Sequence, residues 1–459
     1  MPETIGIILA AGKGTRMKSK LPKALHSICG KALTRWVIDA CKEGGISECI
    51  VVIGHGAEQV EAELGSDVRY GIQEEQLGTG DACKVATELL GDRDVNVVVL
   101  PGDAPIITAD DLRSLCEAHA ASEASATLLT AILDDAGHYG RVIRGDDGYV
   151  QCIVEAKDAT PDQLNVQEMN AAMYCFKLPA LRKYISRLTP ANAQGELYLT
   201  DVIGMMVADG LKVGAKVADD PNITLAVNNR VELAGLTEVI QRRILEKLML
   251  GGATIIDPDS TYVTYDVQIG MDTIVHPGCV LESGTIIGQD CVIGPCARIT
   301  ASQIGNGVTV TYSSVRQSEI GDGTWVGPYA NIRPGCKIGQ KVKIGDFVEA
   351  KNSEIEDGAA MGHLSYIGDA TVGEKTNIGA GTITCNYDGY AKHRTTIGKR
   401  VFVGSHTTFV APVKVGDGAL TAAGSVVTED VPSDALVIGR SMPVVKQDWA
   451  KRRREEKES

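Results

Sequence analysis

Residues 9–17, Leu-Ala-Ala-Gly-Lys-Gly-Thr-Arg-Met, follow a short apolar run formed by Ile5, Ile7 and Ile8. Glycine lets a backbone come close to a ligand and turn its N–H groups toward phosphate oxygens. Gly12 and Gly14 alternate with the cations Lys13 and Arg16, and Lys23 follows in Leu21-Pro22-Lys23, which suits a polyphosphate. A tight strand-to-helix turn with solvated charges would also account for the two glycines. The spacing excludes commoner glycine-rich loops. A Walker loop needs Ser or Thr after Gly-Lys, and a dinucleotide fingerprint needs a third Gly where Met17 stands. Farther on, Val97–Leu100 runs into Pro101-Gly102-Asp103. An Asp there is placed either to hold Mg²⁺, which takes few protein ligands, or to cap the next turn. Residues 73–80, Gln-Glu-Glu-Gln-Leu-Gly-Thr-Gly, offer amide groups and glycines to a planar base. In the second half, His363 is one of eight histidines and sits in Met361-Gly362-His363-Leu364-Ser365-Tyr366. With a reference pKa of about 6.5, an imidazole can accept a proton at neutral pH and so act as a general base.

These residues need elements to position them. Strand-like runs at Ile5–Leu9, Cys49–Ile53 and Val95–Leu100 alternate with helix-like runs at Leu33–Cys41, Glu58–Leu64 and Asp81–Leu90. Such alternation predicts an α/β domain, a doubly wound parallel sheet with ligands at the C-terminal ends of its strands. Apolar residues at 233, 236, 240, 244 and 248 follow a helical period, closed by Gly251-Gly252 as a C-cap. About 20 residues at ~1.5 Å each make an arm of about 30 Å, read here as a spacer rather than an ordinary packed helix.

Beyond residue 256 the pattern changes. Val263, Ile269, Val275, Leu281, Ile287, Ile293 and Ile299 recur six apart. After a slip, Ile320, Val326, Ile332, Ile338 and Ile344 resume, and Ile397, Val403, Phe409 and Val415 repeat the interval. Period six is the hexapeptide signature of a parallel β-helix. The organisation expected is residues 1–228, a linker helix at 229–252, and a β-helix domain at 253–459. The last residues, Lys451 to Ser459, read as a solvated, disordered tail. Trp449 before it is either an anchor on a neighbouring chain or a residue closing the last turn.

Composition limits the function classes. A net charge of −14 argues against nucleic acid or an anionic membrane surface as partner. The 12 cysteines form no Cys-x-x-Cys pair, so neither a zinc ribbon nor a redox motif is supported, and scattered thiols suit a reducing compartment. No apolar run approaches the ~18 residues of a membrane span and no secretory signal is visible, which predicts a cytoplasmic protein.

Taken together, Leu-Ala-Ala-Gly-x-Gly-Thr-Arg-Met, Leu-Pro-Lys, Gln-Leu-Gly-Thr-Gly and a strand ending in Gly-Asp resemble the sugar-1-phosphate nucleotidyltransferases. Tyr139-Gly140-Arg141, Ile153-Val154-Glu155, Glu168-Met169-Asn170 and Val227-Asn228-Asn229-Arg230 narrow the resemblance to the bacterial bifunctional N-acetylglucosamine-1-phosphate uridyltransferase/glucosamine-1-phosphate acetyltransferases. The motifs run through both halves.

The resemblance implies a Rossmann-like uridyltransferase domain and a left-handed, three-faced β-helix carrying the acetyltransferase. It implies that Leu9, Ala10, Ala11 and Gly12 line the uridine nucleotide and that Lys23 neutralises phosphate. Gln73, Gly78 and Thr79 would read the base, Gly140, Glu155 and Asn170 hold the sugar, and Asp103 with Asn228 bind Mg²⁺. Arg16 is assigned to transition-state charge. In the second half His363 would be the general base. Arg333 and Lys351 would grip the sugar phosphate, Tyr366 and Asn377 orient the sugar, and Asn386 with Tyr387 sit beside the reacting centre. Ala380, Ser405, Ala423 and Arg440 would contact acetyl-CoA. Substrates are then UTP, acetyl-CoA, glucosamine-1-phosphate and N-acetylglucosamine-1-phosphate, and the product serves cell-envelope synthesis. A homotrimer through the prism is implied as well. Pro101 and His406 depart from the family pattern, one at a strand end and one beside Ser405. The competing reading is a nucleotidyltransferase whose β-helix serves assembly or regulation alone. His363, the motif at 377–389 and Arg440 count against it.

Overall fold

The computed structural model describes residues 3–134, 137, 139–190, 195–441 and 443–458. They form two compact units, 1–240 and 241–459.

The first unit is built on nine strands: β1 (Thr4–Leu9), β2 (Cys49–Ile53), β3 (Arg69–Ile72), β4 (Asn96–Pro101), β5 (Ala126–Ile132), β6 (Arg141–Arg144), β7 (Val150–Val154), β8 (Glu168–Lys177) and β9 (Val213–Val217). The sheet order is β9-β5-β8-β4-β1-β2-β3, with β6 and β7 attached beside β8. Helices α1 (Leu33–Glu43), α2 (Ala57–Leu64), α3 (Thr79–Leu90) and α4 (Ala109–Ala121) alternate with the early strands. Strands covered on both faces read as continuous apolar runs, and Ile50–Ile53 and Val97–Leu100 are fully buried.

The expected parallel arrangement holds for β4-β1-β2-β3 and for β5 with β9. It fails at β8, which runs antiparallel to both β4 and β5, so the sheet is mixed. Between β5 and β8 the chain makes the antiparallel pair β6/β7 instead of a helical crossover. A parallel return needs a connection that carries the chain back across the sheet; here the intervening residues form the β6/β7 hairpin, and β8 enters from the opposite end. Because β1 and β4 are parallel and pair Leu9 with Pro101, the loops that follow them open on the same side.

Helix α5 (Leu178–Ile185), helix α6 (Leu199–Ala208) and helix α7 (Arg230–Leu250) complete the first unit and lead into the second. The Asn229 side chain accepts from the Val231 and Glu232 N–H groups at 2.9 and 3.0 Å, capping α7. The helical period is borne out, but α7 is packed at both ends rather than bare. Leu236 and Ile240 are buried in the first unit, and Leu245 joins the core of the second.

The second unit is a parallel β-helix whose short strands stack into sheets of eleven, ten and nine. The six-residue series points inward: Val263, Val275, Leu281, Ile293, Ile299, Val326, Ile332, Ile344, Val403 and Phe409 are all fully buried. Only Ile269 of the series is half-buried, packed against the end of that core. At one contact between coils the backbone itself requires glycine. A Cβ on Gly345 would lie 1.9 Å from the Gly362 carbonyl oxygen of the next coil. The charged tail differs from the disorder expected for it. Trp449–Glu458 forms a helix, α8, with no buried residue and Trp449 itself exposed. Its Arg453 and Glu456 are paired three residues apart, the spacing at which helical side chains meet.

Candidate active sites

In the first unit the loops after β1 and β4 meet. The Gly102 N–H donates to the Leu9 carbonyl at 2.8 Å, and Ala10 N–H donates to Val52. Pro101 ends β4 in register with Leu9 and half-buried, so the missing N–H leaves the strand end intact. A Cβ on Gly12 would meet nothing within 4 Å, and the residue is exposed. The fold therefore makes no demand for glycine there, which leaves its backbone open to a ligand. Gly14 has φ +60° and a Cβ on it would strike the Lys23 side chain, so the loop and Lys23 are held together.

Lys23 Nζ forms an ion pair with Asp103 Oδ2 and also donates to Asn228 Oδ1 at 3.3 Å. Arg16 Nη2 donates to the same Asn228 oxygen at 2.9 Å. The Val227 N–H bonds the Asp103 carbonyl at 3.1 Å, which ties the two metal candidates together through the backbone. One carboxylate oxygen and one amide oxygen thus converge on a point now taken by an ammonium group. That donor set fits a hard cation such as Mg²⁺, which takes one or two protein oxygens. Among the described residues no group of three or more His, Cys, Asp or Glu gathers elsewhere as a metal site.

Around this cluster, Ala11 O and Gln73 O each lie 3.0 Å from where a Gly54 Cβ would be. Gln73 Nε2 donates to Gly78 O and Asp81 Oδ2 at 3.2 and 2.8 Å, fixing one amide edge. Gly78 has φ +117° and its Cβ would meet the Leu197 backbone at 2.6 Å, so here the fold itself requires glycine. The Thr79 hydroxyl accepts from Leu199 N–H at the start of α6. Gly140, Glu155 and Asn170 also come together. A Gly140 Cβ would lie 3.5 Å from Glu155 Oε1, and Asn170 N–H donates to Gly140 O at 3.0 Å.

In the second unit His363 ends the strand Ala360–His363, paired in register with Lys343–Asp346 one coil earlier. His363 Nδ1 lies 2.8 Å from Asp346 Oδ1. The carboxyl of Asp346 is held below its usual range by its own backbone N–H and then by His363.

Arg333 Nη1 donates to Glu349 Oε1 at 2.8 Å, which pairs the phosphate candidate with a carboxylate. The Lys392 ammonium beside Lys351 holds the Lys351 amine below its usual value, with desolvation adding to it. Lys392 arrives on the loop that leaves the repeat, bridged in the chain opposite Tyr387. Asp388 closes that loop, accepting from Tyr390 and Ala391 N–H and from His393. The Tyr366 ring crosses Gly368, where a Cβ would meet its hydroxyl at 2.4 Å, and Gly368 pairs with Lys351.

Asn386 is buried and bonded to Asp369 rather than to His363, and Tyr387 is exposed with its hydroxyl donating to Gly389 O. Burial resists ionisation of Asp369, but donors from Asn352 and Asn386 outweigh it and hold its carboxyl low. Asn377 is exposed at the start of the coil that leads to Ala380. Ala380, Ser405 and Ala423 stack on successive coils, since His406 N–H donates to Ala380 O and Gly424 N–H to Ser405 O. Arg440 follows on the next coil, its Cδ 3.7 Å from the Cβ position of Gly424. His406 folds back over Gly381, where a Cβ would lie 2.5 Å from its Nδ1.

Three residues at these sites escaped the sequence reading. Glu232 accepts from Asn228 Nδ2 at 3.0 Å, Lys392 crowds Lys351, and Asp346 bonds His363. A signal existed for the last. Three hexapeptides make one coil, so a residue some 17 or 18 places before His363 lies directly beneath it.

A MobA-like NTP transferase domain family matches residues 6–144. Bacterial transferase hexapeptide repeats match 266–301 and 317–350, and a hexapeptide repeat of succinyl-transferase matches 394–429. The bifunctional protein GlmU of Caldanaerobacter subterraneus subsp. tengcongensis is 49% identical over 453 residues, covering 99% of both chains. That of Clostridium acetobutylicum is 48% identical over 96% of this chain and 97% of its own, and that of Brevibacillus brevis 46% over 98% of each. With identity at this level sustained through the nucleotidyltransferase unit and the left-handed β-helix alike, the chain belongs to the GlmU family of bifunctional uridyltransferase/acetyltransferases.

Proposed function

We propose that the β-helix site acetylates glucosamine-1-phosphate with acetyl-CoA, and that the first unit then joins UMP from UTP to the N-acetylglucosamine-1-phosphate, giving UDP-N-acetylglucosamine for the cell envelope. The functional division is 1–228 for uridyl transfer, 229–252 as linker helix and 253–459 for acetyl transfer. The observation that carries the reading is that one chain holds both the Arg16, Lys23, Asp103 and Asn228 cluster and, on the prism, a histidine paired with a carboxylate.

In uridyl transfer the sugar phosphate oxygen attacks the α-phosphorus of UTP and pyrophosphate leaves. The nucleophile is already anionic, so alignment and charge neutralisation suffice and no base is needed. Mg²⁺, held by Asp103 and Asn228, would supply charge neutralisation at the phosphates. Lys23 would neutralise phosphate, and Arg16 faces the charge that develops in the transition state. Leu9 to Gly12, Gln73, Gly78 and Thr79 line the nucleotide. Gly140, Glu155 and Asn170 hold the sugar.

In acetyl transfer the amine attacks the thioester carbonyl and His363 takes its proton. Arg333, Lys351 and Lys392 crowd three cations together, which suits a sugar phosphate. Tyr366, Asn377, Asn386 and Tyr387 surround the sugar, and the Ala380, Ser405, Ala423 and Arg440 column takes acetyl-CoA. Flat prism faces pack a homotrimer, and the reaction runs in the cytoplasm, where its substrates are; no described helix is long and apolar enough to cross a membrane.

The test is product formation from glucosamine-1-phosphate, acetyl-CoA, UTP and Mg²⁺ by wild type, His363→Ala and Asp103→Ala. His363→Ala should lose CoA release yet use supplied N-acetylglucosamine-1-phosphate, and Asp103→Ala should do the reverse. A wild type that makes sugar nucleotide but never releases CoA would reduce the prism to a scaffold.

A further inference from the structure

We infer that Asp346 is a positioning residue for acetyl transfer: its carboxylate fixes the His363 ring with the proton on Nδ1 and leaves Nε2 as the base. The inference rests on the reading of His363 as that base.

Three observations converge. Asp346 Oδ1 lies 2.8 Å from His363 Nδ1. The two residues are register partners on adjacent coils, and the Leu364 N–H donates to the Asp346 carbonyl at 2.8 Å, so the backbone sets their separation. Immediately before them, a Cβ on Gly345 would lie 1.9 Å from the Gly362 carbonyl oxygen, so the two coils are in direct backbone contact there.

An ionised carboxylate only accepts hydrogen bonds, so the imidazole nitrogen facing it must carry the proton. The other nitrogen then holds its lone pair toward solvent, where the side chain of His363 is 68% exposed. During the reaction a C–N bond forms between the amine and the acetyl carbonyl carbon and the C–S bond breaks. The amine proton passes to Nε2 and then to the departing CoA thiolate. While Nε2 carries that proton the ring is cationic, and the Asp346 carboxylate faces it from the opposite side. Glu349, three residues on, does not serve this role; it is engaged by Arg333.

The test measures kcat and both KM values for CoA release in the full chain, with D346A, D346N, H363A and the H363A/D346A double variant. The expected result is a kcat about 10-fold or more below wild type in D346A, with both KM values within about twofold. D346N, which keeps the shape but can present an N–H to the ring, should fall at least about threefold. In the H363A background D346A should cost nothing further, because the two act as a unit. Wild-type kcat in either Asp346 variant overturns the inference. So does an equal further loss in the H363A background, which would mark Asp346 as merely structural. If D346A fails to fold, D346N decides alone. Full CoA release by H363A would instead sink the underlying assignment of the base.

Discussion

Arg16 Nη2 donates to Asn228 Oδ1 at 2.9 Å across 212 residues of chain, while Lys23 reaches the same oxygen. The first loop of the sheet and Asn228, two residues before the long helix α7, thereby lie together. Asn228→Ala removes an oxygen from the proposed cation-binding pair and frees Arg16. The Mg²⁺ concentration for half-maximal pyrophosphate release should rise several-fold, with CoA release unchanged. A magnesium titration of the variant beside wild type checks it.

Asp103 is the only anionic member of that pair of oxygens. Asp103→Asn should lower uridyl transfer by about 100-fold or more, the usual scale for losing a group that stabilises charge in the transition state. Chelation with EDTA should abolish sugar-nucleotide formation in wild type and leave thiol release intact. Loss of both activities on chelation would contradict the division of labour.

His119 is buried in α4 with Nδ1 2.9 Å from the Thr127 hydroxyl, and burial, aided by the charge of Lys177, pushes it down to about 4. A histidine kept neutral in the folded state and near 6.5 when unfolded binds more protons unfolded between those values. Stability is unaffected above pH 6.5 and falls as pH drops from 6.5 to 4, by about 3 kcal/mol at one pKa unit per ~1.4 kcal/mol. Urea unfolding of the first unit across that range should show a steeper acid loss in wild type than in His119→Gln. Parallel curves would refute it.

Gly345 admits no side chain, because its Cβ would lie 1.9 Å from the Gly362 carbonyl oxygen. Gly345→Ala must push adjacent coils apart at the point where Asp346 and His363 pair. Overpacking of this kind costs about 3 kcal/mol or more when backbone is the obstacle. Calorimetry should show a lower transition for the prism, with CoA release lost and uridyl transfer kept.

His406 stands over Gly381 in the column between Ala380 and Ser405. His406→Ala should change KM for acetyl-CoA by a few-fold and leave KM for glucosamine-1-phosphate untouched. Equal shifts in both would remove His406 from the coenzyme column.

Much of this was legible in the chain itself. The interval of six from Val263 to Val415 determined a prism, because each short strand has one inward position and burial demands an apolar residue there. The glycines at 12 and 14 with Arg16 and Lys23, and Asp103 after an apolar strand, marked the proposed first site, since phosphate and a hard cation call for those types at strand ends. The length of α7 was also visible in its period, and its end in Gly251-Gly252. What only the tertiary structure decided were relations between distant segments. The reversal of β8 depends on a hairpin replacing a crossover, and no local preference records which edge a strand joins. Asp346 and His363 meet because coils of 17 or 18 residues stack them, and Lys392 returns to Lys351 because Asp388 closes its loop. Local composition sets what a residue can do; backbone pairing across coils and strands sets which partner it does it with.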